Sequence, residues 1–137
     1  MEMFRASAHS LRYLSLACNC IASLPPPRSP LVFPRLAFLC LFGNRIDDAY
    51  RTIELLAQLA PNVERLFLSG NRFAADREYR LAAVAAWPKL QWLDWIFVTP
   101  EERLAATHHV GRKRKQETSS GEPNKIAADD STQPTRT

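Results

Sequence analysis

The chain has 137 residues, room for one domain and too little for two well-packed ones, and its 46% hydrophobic content supports a core. Residues 1–110 carry 12 Lys and Arg against 10 Asp and Glu, and residues 111–137 carry 6 against 4; the net charge of +4 favours acidic partners only weakly. The start, MEMFRASAHS, lacks the apolar stretch of a secretory signal, and no segment reaches the roughly 18–20 apolar residues of a membrane span.

Cys18, Cys20 and Cys40 lack the paired spacing of a zinc site. They are expected to be free thiols in a reducing, intracellular compartment, cytoplasmic or alternatively nuclear, with no metal and no cofactor.

After a lead-in over residues 1–10, which reads as an incomplete cap, the chain repeats itself. Leu11 to Ile21 (LRYLSLACNCI), Leu36 to Ile46 (LAFLCLFGNRI) and Val63 to Phe73 (VERLFLSGNRF) fit LxxLxLxxNxL, with a degenerate fourth segment, Leu90 to Pro100 (LQWLDWIFVTP). Their starts are 25, 27 and 27 residues apart, within the spacing of leucine-rich repeats. The pattern predicts an α/β leucine-rich-repeat solenoid over residues 11–110: a short parallel sheet on the concave face, helices and irregular segments on the convex face, and a C-terminal capping helix. Alternation within each short strand sends Leu14/Leu16, Leu39/Leu41, Leu66/Leu68 and Leu93/Trp95 to the interior. Asn19, Asn44 and Asn71 follow the strands, where a buried amide can satisfy backbone groups of adjacent loops; they are read as a structural ladder.

The return segments differ. Between Leu24 and Pro34 the prolines forbid a regular helix and predict an extended, convex path. Next, Asp47 or Asp48 can cap a helix carrying Tyr50, Ile53, Leu56 and Leu59, which ends before Pro61. Asp76 can cap another through Tyr79, Ala83, Val84 and Trp87, stopped by Pro88. In the fourth segment Val98 replaces the asparagine, and Thr99-Pro100-Glu101-Glu102 reads as a capping box opening a terminal helix to about His109, with Leu104 turned inward. Residues 111–137 read as a disordered polar tail, in which Arg112, Lys113, Arg114 and Lys115 fit a nuclear signal or simply a solvated basic run.

The LxxLxLxxN repeats followed by LDWIFVTPEER resemble leucine-rich-repeat proteins that end in a short cap, over about residues 11–107. That class includes the U2 ribonucleoprotein A-prime-like, acidic nuclear phosphoprotein and phosphatase-1-regulatory types. The resemblance implies a macromolecule-binding module, either a regulatory or trafficking adaptor or a nuclear ribonucleoprotein-associated scaffold of the U2 A-prime-like type. The long acidic tail of the nuclear phosphoproteins is absent, which argues against their histone-related role.

Strand residues that alternate away from the core line the concave face. In columns they are Tyr13, Phe38, Arg65 and Trp92, then Ser15, Cys40, Phe67 and Asp94, then Ala17, Phe42, Ser69 and Ile96. Aromatic residues and Arg are the side chains interface hot spots favour, so Tyr13, Phe38, Phe42, Arg65, Phe67, Trp92 and Asp94 are the candidate partner-binding residues, with Trp92 and Phe67 foremost. The competing reading is that the rings only pack on one another across strands. His9, His108 and His109 fall outside these columns, so no base faces Asp94 or Cys40 and an enzyme is not expected. The expected partner is a protein met by a monomer, with nucleic acid engaged only indirectly and no membrane insertion.

Overall fold

A computed structural model describes residues 8–24, 26, 32–75 and 78–109. The tail with its basic run, Asp76 and most of the proline run lie outside the described residues. The chain forms a mixed α/β structure around one five-stranded sheet of order β1-β2-β3-β4-β5. The strands are β1 (Tyr13–Ser15), β2 (Phe38–Cys40), β3 (Arg65–Phe67), β4 (Trp92–Leu93) and β5 (Ile96–Phe97). The first four pair in parallel, with Tyr13, Phe38, Arg65 and Trp92 aligned, and Leu14, Leu39, Leu66 and Leu93 aligned beside them.

One side of the sheet meets the core. Leu39, Leu41, Leu66, Leu68 and Leu93 are buried there with Leu36, Ile46, Val63 and Leu90. Helix α1 (Ala49–Leu59) and helix α2 (Tyr79–Ala86) pack against each other and close this core with Ile53, Leu56, Ala83 and Val84. Asp48 caps α1, its carboxylate accepting from the Arg51 amide at 3.0 Å. Trp87, fully buried, follows α2 and donates its indole N–H to the Ala60 carbonyl at 2.8 Å.

The asparagines tie each turn of chain to the one before it. The Asn44 side-chain oxygen accepts from the amides of Asn19 and Ile21, and its Nδ2 donates to Leu16 and Leu41 carbonyls, all at 2.9–3.0 Å. Asn71 repeats this one strand on, accepting from Ile46 and donating to Leu41 and Leu68. Asn44→Ala and Asn71→Ala should each destabilise the fold by roughly 1–3 kcal/mol by leaving buried backbone groups unpaired. Unchanged thermal melts for both would show that the amides hold nothing together. Asn19 departs from the expected ladder role: it is exposed, and its Nδ2 reaches only the Ala17 carbonyl. Among the described residues no earlier turn supplies amides for it to bridge.

The fourth segment also departs from expectation. Asp94 and Trp95 both adopt left-handed conformations, φ 50° and 69°, as a two-residue hairpin turn of the primed kind requires. The chain therefore doubles back, and β5 pairs antiparallel with β4, Trp92 opposite Phe97 and Leu93 opposite Ile96. This reversal breaks the alternation that would have sent Trp95 inward. Trp95 is instead 70% exposed. Ile96, expected in a concave column, lies opposite the core residue Leu93.

Residues 100–109 form the terminal helix, here α3. Its capping box is present: the Glu102 amide donates to Thr99 Oγ1 at 3.2 Å, and the Thr99 amide donates to Glu102 Oε2 at 3.1 Å. Leu104 does not turn inward and is 63% exposed. Arg103 and Ala106, three residues apart and hence on one helical face, do so in its place. The Arg103 guanidinium donates to the carbonyls of Val84, Trp87 and Leu90 at 3.1, 3.2 and 2.5 Å.

Candidate functional site: the aromatic face of the sheet

Alternation sends every second strand residue to the side away from α1 and α2. There the rings form a continuous run. Tyr13 stacks on Phe38 with centroids 4.0 Å apart and planes 7° apart; Phe38 meets Phe67 at 5.3 Å, and Phe67 meets Trp95 at 4.4 Å. Trp92 and Phe97, cross-strand partners, meet edge to face at 5.4 Å. Such pairs add attraction beyond the area they bury, so the run stiffens the face it decorates. It also leaves much apolar area in water: Tyr13, Trp92, Trp95, Phe97 and Phe42 are all exposed.

The candidate residues fall into four groups. Tyr13, Phe38, Trp92 and Arg65 share the first column as expected, and Arg65 is exposed between Phe38 and Trp92. Phe42 is exposed beside Gly70, where an added Cβ would lie 3.2 Å from its ring. Phe67 stands in the right column but is only 6% exposed, because Phe38 and Trp95 cover it. It supports the surface from beneath. Cys40, its neighbour in the register, is buried as well.

Asp94 is withdrawn from the face. Its Oδ1 accepts from the Leu68 and Ser69 amides at 2.6 and 2.8 Å, and its Oδ2 accepts from the Tyr79 hydroxyl. Burial, with this hydrogen bond next, pushes the Tyr79 hydroxyl pKa up, so Tyr79 keeps the proton it donates. Asp94 thus does for the loop after β3 what Asn71 does for the loop after β2. The position of the hairpin turn gives it this duty.

Trp95 and Phe97 are the face residues that sequence reasoning missed. The Asp94-Trp95 turn lacks the glycine that usually betrays such a hairpin. A second omission is Arg80, which holds the hairpin to α3. Its Nε and Nη2 meet the two Glu102 carboxylate oxygens at 2.5 and 3.0 Å, while Nη1 donates to the Leu93 carbonyl at 3.0 Å. The hydrogen bond to Arg80 holds the Glu102 carboxyl below its usual range, and the same bond raises Arg80. Both groups stay charged near neutrality.

Among the described residues no group of three or more His, Cys, Asp or Glu could hold a metal ion, and no helix is long and apolar enough to cross a membrane. His9 lies in the short helical turn of residues 8–10, and His108 and His109 lie on α3.

No protein-family model matches the chain, and comparison with curated proteins found no match. Among solved structures it is similar to a chain in the Chaetomium Mex67:Mtr2 subunits, with 23% identity over 77% of this chain and 74% of that one and a TM-score of 0.54. That likeness establishes a shared fold. A chain of the Drosophila melanogaster SNF/U2A' complex also aligns, at 17% identity over 79% of this chain and 86% of that one, but its TM-score of 0.39 is too low to argue from.

Proposed function

We propose that residues 11–110 form a leucine-rich-repeat interaction module that binds a protein partner through the aromatic face of the sheet and is not an enzyme. The observation that carries this is the exposed run Tyr13, Trp92, Trp95 and Phe97 on a sheet stiffened by ring contacts. A solvated sheet face would carry Lys, Glu, Ser and Thr, and clustered exposed aromatics mark contact sites. One solved structure that shares the fold is of Mex67 with Mtr2. The role is that of a regulatory or trafficking adaptor, a reading drawn from the resemblance of the proline-rich first return, the Tyr79-Arg80 helix and the VTPEER segment to leucine-rich melanocyte differentiation-associated protein. A nuclear ribonucleoprotein-associated scaffold is the second reading. It draws on the U2 A-prime-like cap and on Arg112–Lys115.

Trp92→Ala and Trp95→Ala should each weaken partner binding by about 2 kcal/mol while the melting temperature stays close to that of the parent. Leu66→Ala, fully buried, should instead cost roughly 2–5 kcal/mol of stability and reduce binding only by unfolding. The measurement is a thermal melt paired with quantitative affinity purification for each variant. Both tryptophan variants folded and retaining every parent interactor would remove the aromatic face as the binding site.

A further inference from the structure

We propose that Arg65 makes this face selective for a protein segment that presents a carboxylate flanked by apolar side chains. The inference rests on the binding-face reading above and adds the chemistry of the partner. Arg65 is the one cation in the three concave columns, exposed and in register between Phe38 and Trp92. Among the described residues no carboxylate pairs with it. Asp94, the one acidic residue of those columns, is committed to two amides and the Tyr79 hydroxyl, and the ion pair among the described residues is Arg80–Glu102, at the cap.

A partner that covers the surrounding rings must also strip water from the Arg65 guanidinium. A desolvated cation without a counter-charge costs far more than it returns, so an apolar partner lacking an acid is selected against. A carboxylate fits the guanidinium fork with two parallel hydrogen bonds, strengthened by the dry aromatic surround.

The same observations disfavour the other occupants. A nucleic-acid strand needs several cations along its phosphates. Here the three columns hold one cation, Arg65, too few to track a phosphate backbone. A second copy meeting this face symmetrically would add another Arg65 and no available acid.

The test pans a phage-displayed random peptide library on the full chain and, in parallel, on Arg65→Glu and Trp95→Ala, each checked for folding by its melt. Peptides enriched on the parent and lost on Trp95→Ala should carry Asp or Glu between apolar residues. For the best such peptide, Arg65→Gln in the protein or Glu→Gln in the peptide should each weaken binding roughly ten- to a hundredfold, and the two together little more. Arg65→Glu should enrich Lys or Arg at the acidic position. Trp95-dependent peptides without an acid, or affinities indifferent to Arg65→Gln, would overturn the inference while leaving the binding face standing. Absence of any Trp95-dependent peptide would remove the face itself. Tighter Trp95-dependent binding of a labelled oligouridine than of any peptide would overturn it in favour of nucleic acid.

Discussion

Trp87→Ala should destabilise the chain by about 3–5 kcal/mol, the range for deleting a fully buried tryptophan side chain. Trp87 has no exposed surface and sits at the end of α2 among core residues. Its indole also closes a polar account, donating to the Ala60 carbonyl just past the end of α1. The substitution opens a cavity and orphans that carbonyl together. Trp87→Phe separates the two effects, filling most of the volume but leaving Ala60 unpaired, and should cost less, about 1–3 kcal/mol. Urea denaturation of both variants reads the difference. If Trp87→Ala unfolds at the parent's midpoint, the two helices are not packed through this residue.

Arg103→Ala should cost roughly 2–3 kcal/mol, since hydrogen bonds from a charged group are worth more than neutral ones and three carbonyls each lose one donor at once. Those carbonyls belong to Val84 and Trp87, at the end of α2, and to Leu90, on the approach to β4. One guanidinium thereby fastens α3 to the last turn of chain. Arg103→Lys should recover only part of the loss, because a single ammonium cannot span carbonyls that the planar fork reaches together. Amide exchange across residues 100–109 locates the effect. Parent-like protection of that helix in Arg103→Ala would mean that apolar contacts such as Ala106 hold α3 unaided.

Period carries most of what the sequence discloses here. Leu14, Leu39, Leu66 and Leu93 align in the sheet because the spacing of the motifs returns the chain to the same place. The caps at Asp48 and Thr99 are legible because capping is local chemistry. Legibility fails where one residue departs from its aligned position. Cys18 stands where Gly43 and Gly70 stand, and all three are left-handed, so the turn persists without its usual residue. Asp94 and Trp95 take the same kind of conformation, but nothing in their side chains announces a reversal. Parity then inverts, which moves Trp95 outward, brings Phe97 onto the aromatic face and takes Asp94 off it. The Arg80–Glu102 and Arg103 contacts are long-range, and a repeat alignment has no column for them.

The ladder of asparagines gives the molecule a tight end and a loose one. Around β1, Leu14, Leu16 and Ile21 are only partly buried, and among the described residues the Asn19 side chain bridges no neighbouring turn. Around β3 and β4, Leu66, Leu68 and Leu93 are sealed, with Arg80, Asp94 and Arg103 locking the backbone about them. Each turn of chain is held by the one after it, so local opening is expected to start from the β1 side, with amide exchange slowing from β1 toward β4 as the measurement that checks it. Trp92, Trp95 and Arg65 ride on the closed end. A partner gripping there should keep that part of its hold while β1 opens, and should lose only the contact with Tyr13.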